Sequence, residues 1–184
     1  MAQLFSLGVK AMWPFNKKQK PVTSEEFASA LMQLMGRSAK DLCGALQKQA
    51  EEKWPFESGE VSTLGTQVFV AYLWMVSKAF APDKRVLDLL HDGYLSGYLR
   101  SGATRDESAA LANAAQSELF ARYEKYYKAW DDGGMALAFE MSQFFFPKRK
   151  PVLDAFLHAS IQAHVGAFML SALEFRKRYA IVDT

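Results

Sequence analysis

The chain holds three histidines, and any acid–base or metal chemistry it performs through imidazole must centre on them. His91 follows Asp88 by three residues and directly precedes Asp92, and His158 follows Asp154 by four and precedes Gln162 by four. On a helix these spacings place carboxylate and imidazole on one face, the arrangement from which helical bundles build metal sites. The di-metal carboxylate pattern nevertheless needs Glu-x-x-His pairs, and none occurs; nor does the His-Glu-x-x-His of zinc proteases. No metal ligand set and no cofactor are therefore expected. Cys43 lies beside an apolar helical stripe with no cation near it in sequence, which predicts an inert, buried thiol. Gly-x-Ser-x-Gly elbows, phosphate-binding loops and dinucleotide fingerprints are missing, so no catalytic residue is nominated and the reading leans away from an enzyme.

The tetrapeptide His91-Asp92-Gly93-Tyr94 resembles the His-Asp pair of the HD superfamily of metal-dependent phosphohydrolases. That pattern needs another histidine upstream, and His91 is the first in the chain, so the site would lack a strong donor. Lys84, Arg85, Asp88, His91 and Asp92 read more simply as a solvated face with charge pairs. Two other constellations carry functional expectations. Asp154, His158, Gln162 and His164 interrupt an otherwise apolar helix, where they must be hydrogen-bonded or else orient a ligand between helices. The run from Arg122 to Trp130 mixes aromatics with charge, and Tyr123, Tyr126, Tyr127, Lys128 and Trp130 are the expected partner-binding surface. Tyr123, Tyr127 and Trp130 also fall at i, i+4 and i+7, which equally describes a core stripe.

Six helices must position these groups. Thr23 and Glu26 make a capping box that opens the first, with Phe27, Leu31, Leu34, Met35, Leu42 and Leu46 as its inward stripe, and Trp54-Pro55 ends it. The second, about 62–80, contains Val68–Val76 without a polar face, so neighbours must surround it. Pro82 opens a third that runs to about Arg100, in which Val86, Leu90, Gly93 and Gly97 share a line permitting close approach. Thr104 and Glu107 cap a fourth, Asp131-Asp132-Gly133-Gly134 stops it, and a short fifth covers about 135–145. A sixth, about 151–179, carries Leu157, Ile161, Val165, Phe168 and Phe175 on one side and Ala159, Ala163, Gly166 and Leu170 on the other. Both sides are expected to be packed, placing the second and sixth helices at the centre of a single all-α bundle.

Half of the 184 residues are apolar and the net charge is +2, which fits one domain (23–184) behind a tail (1–22) that is flexible or packed on the surface. Charges of both signs are interspersed, so nucleic acid is not an expected partner. A lone cysteine points to a reducing, cytoplasmic location. The first 24 residues contain no acid, and Trp13, Phe15, Lys17, Lys18 and Lys20 suit weak peripheral contact with an anionic membrane; Met12 offers a second start. Residues 155–173 contain no Lys, Arg, Asp or Glu and approach the roughly 20 residues that span a bilayer, but His158, Gln162 and His164 inside the stretch favour a buried helix. The functional expectation is a non-enzymatic module that binds another protein or itself. The alternative is a bundle that binds a small molecule, or acts on one with a metal, near the polar line of the last helix.

Overall fold

The computed structural model describes residues 19–51, 59–80, 83–149 and 154–182. Within them the chain forms strand β1 (Lys20–Val22), helices α1 (Ser24–Glu51), α2 (Glu60–Ala79), α3 (Lys84–Leu99), α4 (Arg105–Asp132), α5 (Ala136–Phe145) and α6 (Ala155–Lys177), and strand β2 (Tyr179–Ile181). It is an all-α, single-domain bundle. A single 3₁₀ turn, Pro147–Arg149, lies between α5 and α6. Trp13, Phe15, Lys17, Lys18, Trp54, Pro55, Pro82 and Pro151 lie outside the described residues.

Both capping boxes form. Thr23 Oγ1 accepts from the Glu26 backbone N–H at 3.1 Å while Glu26 Oε2 accepts from that of Thr23 at 3.0 Å, and Thr104 and Glu107 repeat the exchange on α4. Each box satisfies two N–H groups that the helix itself cannot. The α4 stop works through Gly133 and Gly134, which take φ of +73° and +57°, a region that side chains bearing a Cβ rarely occupy. Two starts fall later than the prolines suggest. The α3 helix begins at Lys84, and α6 begins at Ala155 because Asp154 Oδ1 accepts from Leu157 N–H at 2.9 Å. Asp83, at the start of α3, spends its carboxylate on Arg176 instead, with Nε–Oδ2 at 2.8 Å and Nη2–Oδ1 at 3.3 Å, tying α3 to the end of α6.

The centre is α2, which touches every other helix and buries Val68, Val70–Val76 and Leu64. The inward line of α6 closes on it: Leu157, Ile161, Val165, Phe168 and Ala172 are buried, and Phe168 meets Tyr72 at 4.3 Å between ring centroids. The opposite side of α6 departs from the expectation. Ala159, Ala163, Gly166 and Leu170 are exposed, because among the described residues the helices that pack most closely on α6 are α1, α2 and α5, and its inward line takes those contacts. The sixth helix is therefore central through one face.

The part of the expected tail nearest the bundle belongs to the fold. Lys20–Val22 pairs in parallel with Tyr179–Ile181, Lys20 N–H donating to Arg178 O and Val182 N–H to Val22 O, both at 2.9 Å. Val22 is buried, and Tyr179 joins Phe175 around Phe27 of α1. On α3, a Cβ at Gly93 would lie 2.9 Å from Cε of Met32, the close approach the sequence suggests, whereas one at Gly97 meets nothing within 4 Å.

Ile161 is fully buried on the α6 inward line. Ile161→Ala is expected to cost about 2–5 kcal/mol in urea denaturation through lost burial and a cavity. Ile161→Asp is expected to prevent folding, since a buried carboxyl pays for desolvation in either protonation state. A change within about 0.5 kcal/mol, the range of surface substitutions, would contradict this packing.

Candidate functional site

The polar residues of α6 do not converge. Asp154 caps the helix. His158 is buried and lies 3.1 Å from Ser142 Oγ on α5, with its ring edge-on to Phe139. The Ser142 hydroxyl has one proton, donated to Phe139 O at 2.6 Å, so its lone pairs accept from His158 Nε2–H and from Gln143 Nε2 at 3.1 Å. An imidazole that donates to a hydroxyl is not its general base, and Ser142 is fully enclosed, so this pair is not a nucleophile with its base. His164 Nδ1 turns back to Ser160 O of its own helix at 2.9 Å. Gln162 differs: its Oε1 is buried without a hydrogen-bond partner, beside a cavity of about 190 Å³ lined by Trp130, Gly133, Gly134 and Leu137. That volume is below the roughly 300 Å³ at which small-molecule sites begin, and neither His158 nor His164 lines it.

The α4 surface is also divided by the structure. Tyr123 and Tyr126 are buried, Tyr126 completely, and so are core rather than partner-facing. The inward stripe of α4 runs Ala112, Ala115, Leu119, Arg122, Tyr123, Tyr126 and Ala129, so its register is set by Tyr126 and not by Tyr127 and Trp130. Lys128 is exposed. Tyr127 and Trp130 are partly exposed and lean on Trp74, while Lys78 Nζ lies 5.1 and 4.8 Å from their ring centroids. A cation over two ring faces is satisfied within the molecule. Arg122, on the buried side, pairs with Glu118 and Gln67 and stacks 4.9 Å from the Phe144 ring.

His91 is likewise not a solvated residue. It is half-buried between α2, α3 and α4, with Nε2 3.1 Å from Tyr123 Oη and 3.4 Å from Ser77 Oγ. Ser77 donates its proton to Leu73 O at 2.9 Å. Burial lowers the His91 pKa, with the Asp88 and Asp92 carboxylates opposing it. Cys43 is half-buried, and burial pushes its thiol up to about 11, so little thiolate exists near neutral pH. Among the described residues no three His, Cys, Asp or Glu side chains gather as a metal would require.

Two surfaces escape a reading of the sequence. A groove of about 480 Å³ separates the start of α2 from the end of α3, floored by Gly65 and Gly97 and walled by Phe69, Tyr94 and Tyr98. The larger feature is the outward face of α6. Phe156 is 78% exposed, Leu170 67% and Leu173 40%, with Ala159, Ala163, Gly166 and Ala167 exposed between them. Ser171 is the one exposed polar residue from Ala155 to Leu173, and its hydroxyl returns to Ala167 O at 2.9 Å. By length and composition α6 is the one described helix apolar enough to cross a membrane, yet only 33% of that stretch is buried in the fold. The sequence signal was present, since a helix apolar on all sides must be covered on all sides. Periodicity cannot say which side the neighbouring helices leave open.

No protein-family model matches the chain, and no curated protein or solved structure matches it.

The lowered pKa of His91 couples to stability. The unfolded chain takes up the proton near the ordinary histidine value of about 6.5, while the folded state resists it, so the unfolded state binds more protons below that pH. Stability is expected to be full above about pH 6.5 and to fall as pH drops from there through the folded-state pKa. An NMR titration should place the His91 midpoint below about 6.5, and His91→Asn should flatten the decline measured by urea unfolding. A midpoint at or above the ordinary value contradicts the assignment.

Proposed function

We propose that this protein is a non-enzymatic, cytoplasmic interaction module whose docking surface is the outward face of α6. One observation carries the reading: between Ala155 and Leu173 the helix is apolar on the side away from the bundle as well as on the side facing it, with Phe156 and Leu170 largely in solvent. Each large side chain left exposed forgoes roughly 1.5–3 kcal/mol of burial. Contiguous exposed apolar surface of this kind marks sites of association. Catalysis has less support, because His158, His164 and His91 each spend a ring nitrogen on a neighbour within the fold and Ser142 is enclosed. The cytoplasmic assignment rests on the single thiol of Cys43. The partner surface expected at the end of α4 is reduced to Tyr127, Lys128 and Trp130 and ranks second. A small-ligand role finds its best support in Gln162, whose oxygen is buried without a partner.

Phe156→Glu and Leu170→Glu test the reading. Because both side chains are exposed, the variants are expected to unfold within about 0.5 kcal/mol of the parent while losing capture of whatever the immobilised parent retains. Trp130→Ala is expected to keep that capture. Retention of full binding by both glutamate variants, with binding lost in Trp130→Ala, would move the surface to α4.

A further inference from the structure

We infer that the occupant of the α6 face is α6 of a second copy of this chain, packed antiparallel about a two-fold axis. The inference rests on the docking reading above and names its partner. The exposed positions Phe156, Ala159, Ala163, Gly166, Leu170 and Leu173 are spaced alternately three and four residues apart. They lie in one line along the helix, as a seam between two helices requires. Side-chain size along the seam is also ordered. The ends carry Phe156 and Leu173, the middle Ala163 and Gly166, and two-fold antiparallel pairing sets Phe156 opposite Leu173, Leu170 opposite Ala159, and Ala163 opposite Gly166.

Each Leu170 then enters the space over Ala159 and Ala163 of the other helix, and the small central pair lets the backbones close. A parallel pair would instead set Leu170 on Leu170 and Phe156 on Phe156, holding the axes apart over the Ala-Gly middle. A two-fold interface must be complementary to itself, and this face is. Antiparallel packing also sets opposite ends of the two helix dipoles side by side. No charge lies on the seam between Ala155 and Leu173, so none must be desolvated or paired.

Size sets the strength. A seam of 18 residues is about 27 Å long, and the surface it buries is on the order of 1,000 Å², the lower edge of specific interfaces. The dimer is thus a weak one, dissociating on dilution.

Sedimentation equilibrium and light scattering on the full chain, up to about 500 μM as suits an interface this small, test the assignment. The expected mass tends to twice the 20.7 kDa of one chain as concentration rises. Leu170→Glu is expected to weaken association by about tenfold or more, the loss of one well-packed apolar contact in the seam. Ala163→Leu is the sharper variant. It adds apolar surface at an exposed position, so it would strengthen non-specific association or membrane binding, but it blocks close approach and must weaken the proposed dimer.

Three results would overturn the second copy. The first is a dimer that survives both variants, which uses another surface. The second is association strengthened by Ala163→Leu. The third is a chain that stays monomeric throughout the range. In that third case the docking reading survives if Leu170→Glu abolishes capture of a different protein or co-sedimentation with phosphatidylserine vesicles, and falls with the dimer if it changes neither.

Discussion

One segment dictates the rest of the molecule: Val68–Val76 in the middle of α2 offers no side on which water is welcome. Other helices must sheathe it on every side, and α1, α3, α4, α5 and α6 do so. Their amphipathic stripes are therefore positioned by a common target. The aromatic contacts show how completely the sheath closes, with Tyr72 against Phe168 of α6 and Trp74 against Tyr126 of α4. Trp74 Nε1 and Tyr126 Oη are buried there without hydrogen-bond partners, a cost accepted for the apolar area that these two side chains contribute.

The buried polar groups serve the same enclosure. A polar atom withdrawn from water costs less when a neighbour satisfies it, and here the neighbour generally sits on a different helix. His91 joins α3 to Tyr123 of α4 and Ser77 of α2, His158 joins α6 to α5, Arg122 joins α4 to Gln67 of α2, and Arg176 joins α6 to Asp83. Each link has directional geometry, which apolar contacts lack. These residues attract attention as possible catalysts, yet their hydrogen bonds are spent on aligning helices.

Much of this was legible beforehand, for reasons that differ by element. The capping boxes at Thr23 and Thr104 and the Gly133-Gly134 stop are local, so their residues suffice to place them. The α4 register was not legible from its large side chains, because aromatics occur at 123, 126, 127 and 130 and the true inward stripe is carried as much by Ala112, Ala115 and Ala129. Three-residue strands are shorter than any window in which alternation can register. The α6 polar line looked like a site because helical spacing aligned Asp154, His158 and Gln162, but the neighbours on α5 and α4 give each a separate fate. The open side of α6 could not be read at all, since composition records that a face is apolar and not whether anything covers it.

The short β1–β2 pairing has a kinetic side. It joins segments about 158 residues apart, as does the Gln19 side-chain bond to Lys177 O beside it. Closing a loop of that length from an unfolded chain costs on the order of 4–5 kcal/mol in chain entropy, more than two three-residue strands can return. Once α1 and α6 have docked, the two strands are already neighbours and the pairing costs little. The clasp must therefore form late in folding and open early in unfolding. Lys20 and Val182 should report local opening while Ile161 still reports a folded core, which makes these strands the place where the native state first loosens.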